Sequence, residues 1–306
     1  MSLKEKIENN ITIFLLGTVV TGFLAGIGTY KAILDIAMLE VVSEGRLNQK
    51  SDSSQLEEVT KKIIQDMTNR DTDVETGVKY ALAKIGKPAI TQLIVALKAK
   101  DKNLRKMVAL YLGEMQAADA VDALIYALQN DDEPYVMREA ARALGEIGNK
   151  KSVKSLRYAL KDNNSLTREG AAYALGKMKA IEAQDDLINA LKDGAPNVKE
   201  EAARALGKIQ AHESAEYLLN LLNDKNSSVR SSAAYALGMI KYTKAVDALI
   251  IALEDYDKDV KASAARALGE IGDPRAIEPL KKLLTNNNLW VRNQAEWALK
   301  DIQGRY

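Results

Sequence analysis

Of the 306 residues only one, His212, could act as an imidazole ligand or base, and it stands beside Glu213. A His-Glu pair suits metal ligation or general acid–base work, but either chemistry needs further ligands or partners. With one histidine and no cysteine, most imidazole-based zinc arrangements and all thiolate sites, disulfides and thiol nucleophiles are excluded. Acidic pairs such as Asp131-Asp132 and Asp185-Asp186 fall in turns or at helix starts. A carboxylate there satisfies free amides and complements the helix dipole, so capping is its expected role rather than catalysis. The glycines occupy helix-packing and capping positions and form no G-x-x-x-x-G-K-[ST] phosphate loop. The expectation is no catalytic residue, no metal site and no cofactor, which points to a binding protein rather than an enzyme.

Two side-chain ladders remain. A basic residue recurs eight places before a regularly spaced glycine slot: Arg105, Arg168, Lys199, Arg230, Lys261 and Arg292, with Met137 as the exception. Such a ladder could bind phosphates. Aspartates in the preceding turns (Asp162, Asp193, Asp224 and Asp255) favour instead a pairing of each cation with a turn carboxylate of its own or the next repeat. The second ladder, three places before the glycine slot, reads Tyr80, Leu110, Arg142, Tyr173, Arg204, Tyr235, Arg266, Trp297. At 100° per residue it lies opposite the apolar stripe of its helix, on the side expected to face a concave groove. Tyr, Trp and Arg most often carry interface energy, so Arg142, Tyr173, Arg204, Tyr235, Arg266 and Trp297 are the candidate partner-binding residues. The competing role is internal: Arg and Tyr of adjacent repeats stacking on each other and rigidifying the array.

The elements that position these ladders repeat with a period of 31 residues. Leu-Gly pairs stand at Leu112-Gly113, Leu144-Gly145, Leu175-Gly176, Leu206-Gly207, Leu237-Gly238 and Leu268-Gly269, with Leu82-Ala83 and Leu299-Lys300 as degenerate copies. Self-similarity at this period is the signature of a solenoid. In each unit a first helical pattern (Val121, Leu124, Ile125, Leu128) precedes a second one rich in small residues (Val136, Ala140, Ala141, Leu144, Ile147). The fold class is all-α: an α-solenoid of about eight helical hairpins over residues 55–306. Glu296 and Lys300 replace small residues in the last copy, the polar substitution a terminal cap requires.

The units AARALGEIGDPRAIEPLKKLL (264–284) and AARALGEIGNKKSVKSLRYAL (140–160) resemble the HEAT-like repeats named after phycobilisome lyases. The resemblance implies the fold strongly and the function weakly, since such repeats serve scaffolds, chromophore lyases and adaptors alike. HEAT-repeat deoxyhypusine hydroxylases also resemble this fold and hold a di-iron centre with several His-Glu pairs. Here there is one, and His212 shares a variable turn slot with Pro274, Lys150, Thr243 and Pro88.

The uncharged run at residues 11–30 (ITIFLLGTVVTGFLAGIGTY) reaches roughly 30 Å as a helix, the thickness of a bilayer core. A signal peptide and a buried helix of an oligomer are rival readings. Without a clear cleavage site, and with the apolar pattern continuing to Val41, a membrane anchor is expected within residues 1–42. Thr18, Gly22 and Gly26 share one face of it and suit helix pairing and self-association. Residues 43–54 read as a polar linker. With 43 basic against 42 acidic residues, no nucleic-acid partner is expected. These features together predict a single-pass membrane protein with a cytoplasmic solenoid, a scaffold whose groove holds a protein or peptide partner. The alternative that the resemblance implies is a chromophore lyase or assembly factor of the phycobilisome-lyase type.

Overall fold

A computed structural model describes residues 57, 60–64 and 72–304, and every regular element among them is helical. The chain divides between Ala120 and Val121 into two compact units. In the first, α1 (Thr72–Ile85), α2 (Lys87–Ala96) and α3 (Lys102–Glu114) pack in sequence. Gly86, at φ 70°, makes the sharp bend between α1 and α2, and the Asp101 side chain caps α3 by accepting from the Asn103 amide at 2.8 Å. Val78, Leu82, Leu93, Val108 and Leu112 are buried within this unit.

The second unit holds six hairpins: α4 (Val121–Asn130) with α5 (Pro134–Ile147), α6 (Val153–Ala159) with α7 (Ser165–Lys177), α8 (Gln184–Ala190) with α9 (Pro196–Lys208), α10 (Ala215–Leu221) with α11 (Ser227–Met239), α12 (Val246–Ala252) with α13 (Lys258–Ile271), and α14 (Ile277–Leu283) with α15 (Leu289–Gln303). The second helices pack in series, α5 on α7 and so on to α15. The leucine before each glycine slot (Leu144, Leu175, Leu206, Leu237, Leu268) is fully buried, and each such burial stabilises by about 1.5–3 kcal/mol.

Their close approach explains the glycines. A Cβ on Gly145 would lie 2.6 Å from the Cα of Ala174, on Gly176 2.7 Å from that of Ala205, and on Gly238 2.6 Å from that of Ala267. The glycine of one second helix is thus the seat for the alanine two places before the glycine slot of the next.

Asx turns start most of these helices. Asp162, Asp193, Asp224 and Asp255 each accept from the amide two residues on, and Asn164, Asn226, Asp257 and Asn288 then cap the second helix. At the other end the chain turns through a left-handed residue: Gly148 and Gly272 in two hairpins, Lys179, Gln210 and Lys241 in three others.

The membrane expectation is corrected. Among the described residues no helix is long and apolar enough to cross a membrane. The longest, α15, has 15 residues and reaches only about 22 Å, against roughly 30 Å of hydrocarbon. The single-pass localisation with a cytoplasmic solenoid is therefore not retained. The anchor expected at residues 11–30, with Thr18, Gly22 and Gly26, and the linker at 43–54 lie outside the described residues.

Candidate functional site

The basic ladder is a set of turn clamps. The Arg168 guanidinium donates to both carboxylate oxygens of Asp193 at 2.7 and 2.8 Å and to the carbonyls of Asp162 and Asn163. Arg230 repeats this with Asp255 at 2.7 and 2.8 Å and the carbonyls of Asp224 and Lys225. Lys199 reaches Asp224 at 2.6 Å. Each arginine thus joins the carbonyls of its own turn to the carboxylate of the next. Burial alone would push Asp193, Asp224 and Asp255 up, but the cations and turn amides hold all three below the usual carboxylate range. Such engaged cations are not free to take a phosphate.

Other candidates resolve similarly. Asp186 takes Arg157 at 2.6 Å and Lys161 at 3.3 Å, and Asp131 accepts the Glu133 amide at 3.0 Å. His212 is exposed in a single 3-10 turn, and Glu213 accepts from Gln184 at 2.6 Å. Among the described residues no group of three or more acidic or histidine side chains is placed to hold a metal ion.

The Arg/aromatic ladder lies on the second helices of the larger unit and divides into two halves. In the first, the Arg142 guanidinium stacks 4.0 Å from the Tyr173 ring centre, and Lys208 lies over the same ring at 5.7 Å. The Tyr173 hydroxyl donates to Glu146 at 2.5 Å, and Lys177 reaches Glu146 at 2.9 Å. Burial on its own would raise Glu146, yet the Tyr173 hydroxyl and Lys177 hold it below its ordinary value. Burial, followed by Glu146, pushes the Tyr173 hydroxyl up. Arg204 is occupied too, by Glu200 at 2.8 Å, Glu201 at 3.7 Å and the Ser232 hydroxyl at 3.1 Å.

The second half is loosely held. Arg266 lies 5.8 Å from the Tyr235 ring centre, and its one carboxylate neighbour within ion-pair reach, Glu270, is at 4.0 Å. It donates no hydrogen bond to a described residue, and its side chain is 47% exposed. Trp297 packs its ring edge over Gly269 and is 41% exposed.

Periodicity alone missed the residues around these rungs. Six and seven places before the glycine slot the face carries Glu200 and Glu201 on α9, but Ser231 and Ser232 on α11 and Ser263 on α13. Ser231 and Ser263 bond to each other at 2.9 Å. Burial pushes Glu201 up, with Arg204 opposing. The signal was present as a switch from charged to hydroxyl residues between α9 and α11.

Comparison with known proteins places the chain. A model of HEAT repeats matches residues 60–136, 121–194, 171–238 and 218–300. The chain is 36% identical over 88 residues to a phycocyanobilin lyase subunit alpha of Microchaete diplosiphon, covering 26% of this chain and 30% of that protein. It is 42% identical over 78 residues to deoxyhypusine hydroxylase-B of Oryza sativa subsp. japonica, covering 25% and 26%. The matched stretches thus span less than a third of either relative's length. Among solved structures, the complex of CpcE and CpcF of phycocyanin lyase from Nostoc sp. PCC7120 matches with TM-score 0.50 and 27% identity, over 71% of this chain and 94% of that one. The Escherichia coli protein YibA shares the fold, with TM-score 0.60 and 19% identity over 84% and 97%. With HEAT repeats matched from residue 60 to residue 300 and stacked hairpins throughout the larger unit, the chain belongs to the HEAT-repeat family.

Proposed function

We propose that the chain is a HEAT-repeat subunit of a chromophore-lyase-type assembly, and that it works by holding a protein partner against the exposed face of its second helices. The observation that carries this reading is the row of arginine and aromatic side chains, one per hairpin, at Arg142, Tyr173, Arg204, Tyr235, Arg266 and Trp297. Large side chains presented by a rigid helical layer lose little freedom on binding, which is what an interface anchor needs. The lyase reading is supported by the likeness to the CpcE–CpcF complex over 94% of the matched chain and by the phycocyanobilin lyase subunit among the relatives. In this reading residues 55–306 form the binding array, and the chromophore chemistry belongs to the assembly rather than to a nucleophile on this face.

The test mixes the full chain, together with the proteins that co-purify with it, with phycocyanobilin and chromophore-free phycocyanin. Co-elution with phycocyanin, and visible absorbance that survives denaturation and forms faster than without the chain, are expected. If neither occurs, the lyase reading falls. Co-elution without faster attachment would favour a second reading, a scaffold that binds protein and handles no chromophore.

A further inference from the structure

Three rungs of the ladder keep unused hydrogen-bonding capacity: Tyr235 on α11, Arg266 on α13 and Trp297 on α15. Among the described residues neither the Tyr235 hydroxyl nor the Trp297 indole N–H has a hydrogen-bond partner, and Arg266 has Glu270 at 4.0 Å and the Tyr235 ring at 5.8 Å. The free groups are one cation, an indole N–H that only donates, and a phenol that donates as readily as it accepts. On the same helices Ser231 and Met239 stand one turn from Tyr235, Ser263 and Glu270 one turn from Arg266, and Lys300, paired with Glu296, and Asp301 one turn beyond Trp297. Upstream the same slots are neutralised internally by Glu146, Glu200 and Glu201. A binding partner must therefore bring acceptors and negative charge to the middle rung and apolar surface to the rungs on either side.

The geometry points to a docking site for an acidic protein segment: a carboxylate on Arg266, with an apolar side chain against Tyr235 and another against Trp297. The inference rests on the reading of this face as partner-binding and names the partner's chemistry. Spacing narrows it further. Packed helices lie about 8–10 Å apart, and a chain extended as polyproline II advances about 3.1 Å per residue and returns a side chain to the same face every third residue. One rung therefore corresponds to roughly three residues of ligand. The fitting segment is extended, with apolar residues three places before and three places after its acid. The hydroxyls of Ser231 and Ser263, bonded to each other, leave a polar strip along which such a backbone could lie.

The chain has two tryptophans, Trp290 and Trp297. In the full chain carrying Trp290→Phe, Trp297 becomes the sole indole and reports directly on the site. The probe is a blocked heptapeptide with leucine first and last, glutamate at the centre and serine elsewhere, alongside versions with lysine or glutamine at the centre. A saturable change in Trp297 emission with the glutamate peptide is expected, weakened by added salt and about tenfold weaker with the lysine or glutamine peptide. Arg266→Gln should weaken glutamate-peptide binding about tenfold, while Arg275→Gln, remote from this face, should not change it. Circular dichroism that matches the parent confirms the fold of each variant. No saturable change, or equal binding of the three peptides, overturns the proposal. Peptide binding that persists when the phycocyanin test fails retains the acidic-segment site and removes only the lyase reading. Phycocyanin co-elution without peptide binding does the reverse.

Discussion

The Arg142 guanidinium lies 4.0 Å from the centre of the Tyr173 ring, whose hydroxyl donates to Glu146 at 2.5 Å, two contacts that tie α5 to α7. The stacked cation and the hydrogen bond reinforce each other, because Arg142 and Lys177 also neutralise Glu146. A double-mutant cycle with Arg142→Gln and Tyr173→Leu should give a coupling of about 0.5–2 kcal/mol by urea denaturation. Tyr173→Phe keeps the ring and should lose about 1.5–3 kcal/mol, the range for a hydrogen bond to a charged group. A cycle that sums to zero would mean the stack contributes nothing.

Replacing the helix glycines with alanine tests the seats between second helices. Alanine gains about 1 kcal/mol of helix propensity over glycine, but a Cβ at Gly176 would meet Ala205 Cα and Cβ, both at 2.7 Å. Backbone contact leaves no flexible tip to swing away, so Gly176→Ala should destabilise by about 1–3 kcal/mol net. Gly207→Ala, 3.0 Å from Ala236 Cα, should cost less. Gly194→Ala, with nothing within 4 Å, should be near neutral, and thermal melts of the three rank the prediction.

The left-handed turn residues predict the opposite sign. Lys179 and Lys241 hold φ of 50° and 51° where Gly148 and Gly272 stand in sister hairpins. Lys241→Gly should therefore be neutral to stabilising, by up to about 1 kcal/mol, as relief of the Cβ strain outweighs the added chain entropy. Gln210→Gly should gain less, because the Gln210 amide also bonds the Met239 carbonyl at 3.0 Å in the next hairpin. Chemical denaturation of both variants decides the order.

Acid stability should follow the clamps. Asp193, Asp224 and Asp255 have folded values depressed below the ordinary 3.8, so the folded state holds fewer protons than the unfolded state around that pH. Their contribution is complete well above 3.8 and is lost as pH falls from there through the depressed values. Asp193→Asn, Asp224→Asn and Asp255→Asn combined should flatten that acid limb. Glu201 has the reverse sign: burial raises it, so its stabilising term holds below the ordinary 4.5 and is lost as pH rises through the raised value. Glu201→Gln should therefore raise the melting temperature at pH 7, while Arg204 keeps Glu200 at 2.8 Å.

Much of this was legible because one slot recurs in one environment. Leu175, Leu206 and Leu237 are buried alike, and the cations before them (Arg168, Lys199 and Arg230) meet turn carboxylates as the spacing implied. The sequence left open whether the carboxylate belonged to the same turn or the next. The carboxylate is the next turn's: one edge of the guanidinium takes it, and the other takes the backbone carbonyls of its own turn. The Arg/aromatic slot was harder. Arg142 and Arg266 share type and position, yet one is stacked and the other loosely held. Their difference comes from the next rung, Tyr173 against Trp297, and from residues in other slots such as Lys177 and Ser263, which a single-slot period does not see. The run at 11–30 shows the converse: length and hydropathy met the span criterion in isolation, and no described helix supplies a membrane-crossing element to go with it.

The clamps also make the array unequal along its length. Between α7 and α9, α9 and α11, and α11 and α13, a cation links consecutive turns, but Met137 occupies that slot between α5 and α7, and the Thr167 hydroxyl meets its sulfur at 3.8 Å instead of a carboxylate. In a quasi-one-dimensional protein the nearest-neighbour coupling decides where unfolding propagates and where it halts. The α4–α5 hairpin is thus joined to its successor by apolar packing, the Arg142–Tyr173 stack and the contacts of Tyr173 and Lys177 with Glu146, without a turn clamp. Native-state hydrogen exchange should show a step in protection there, with Val121–Ile147 opening as a cooperative block ahead of the clamped hairpins from α7 to α13.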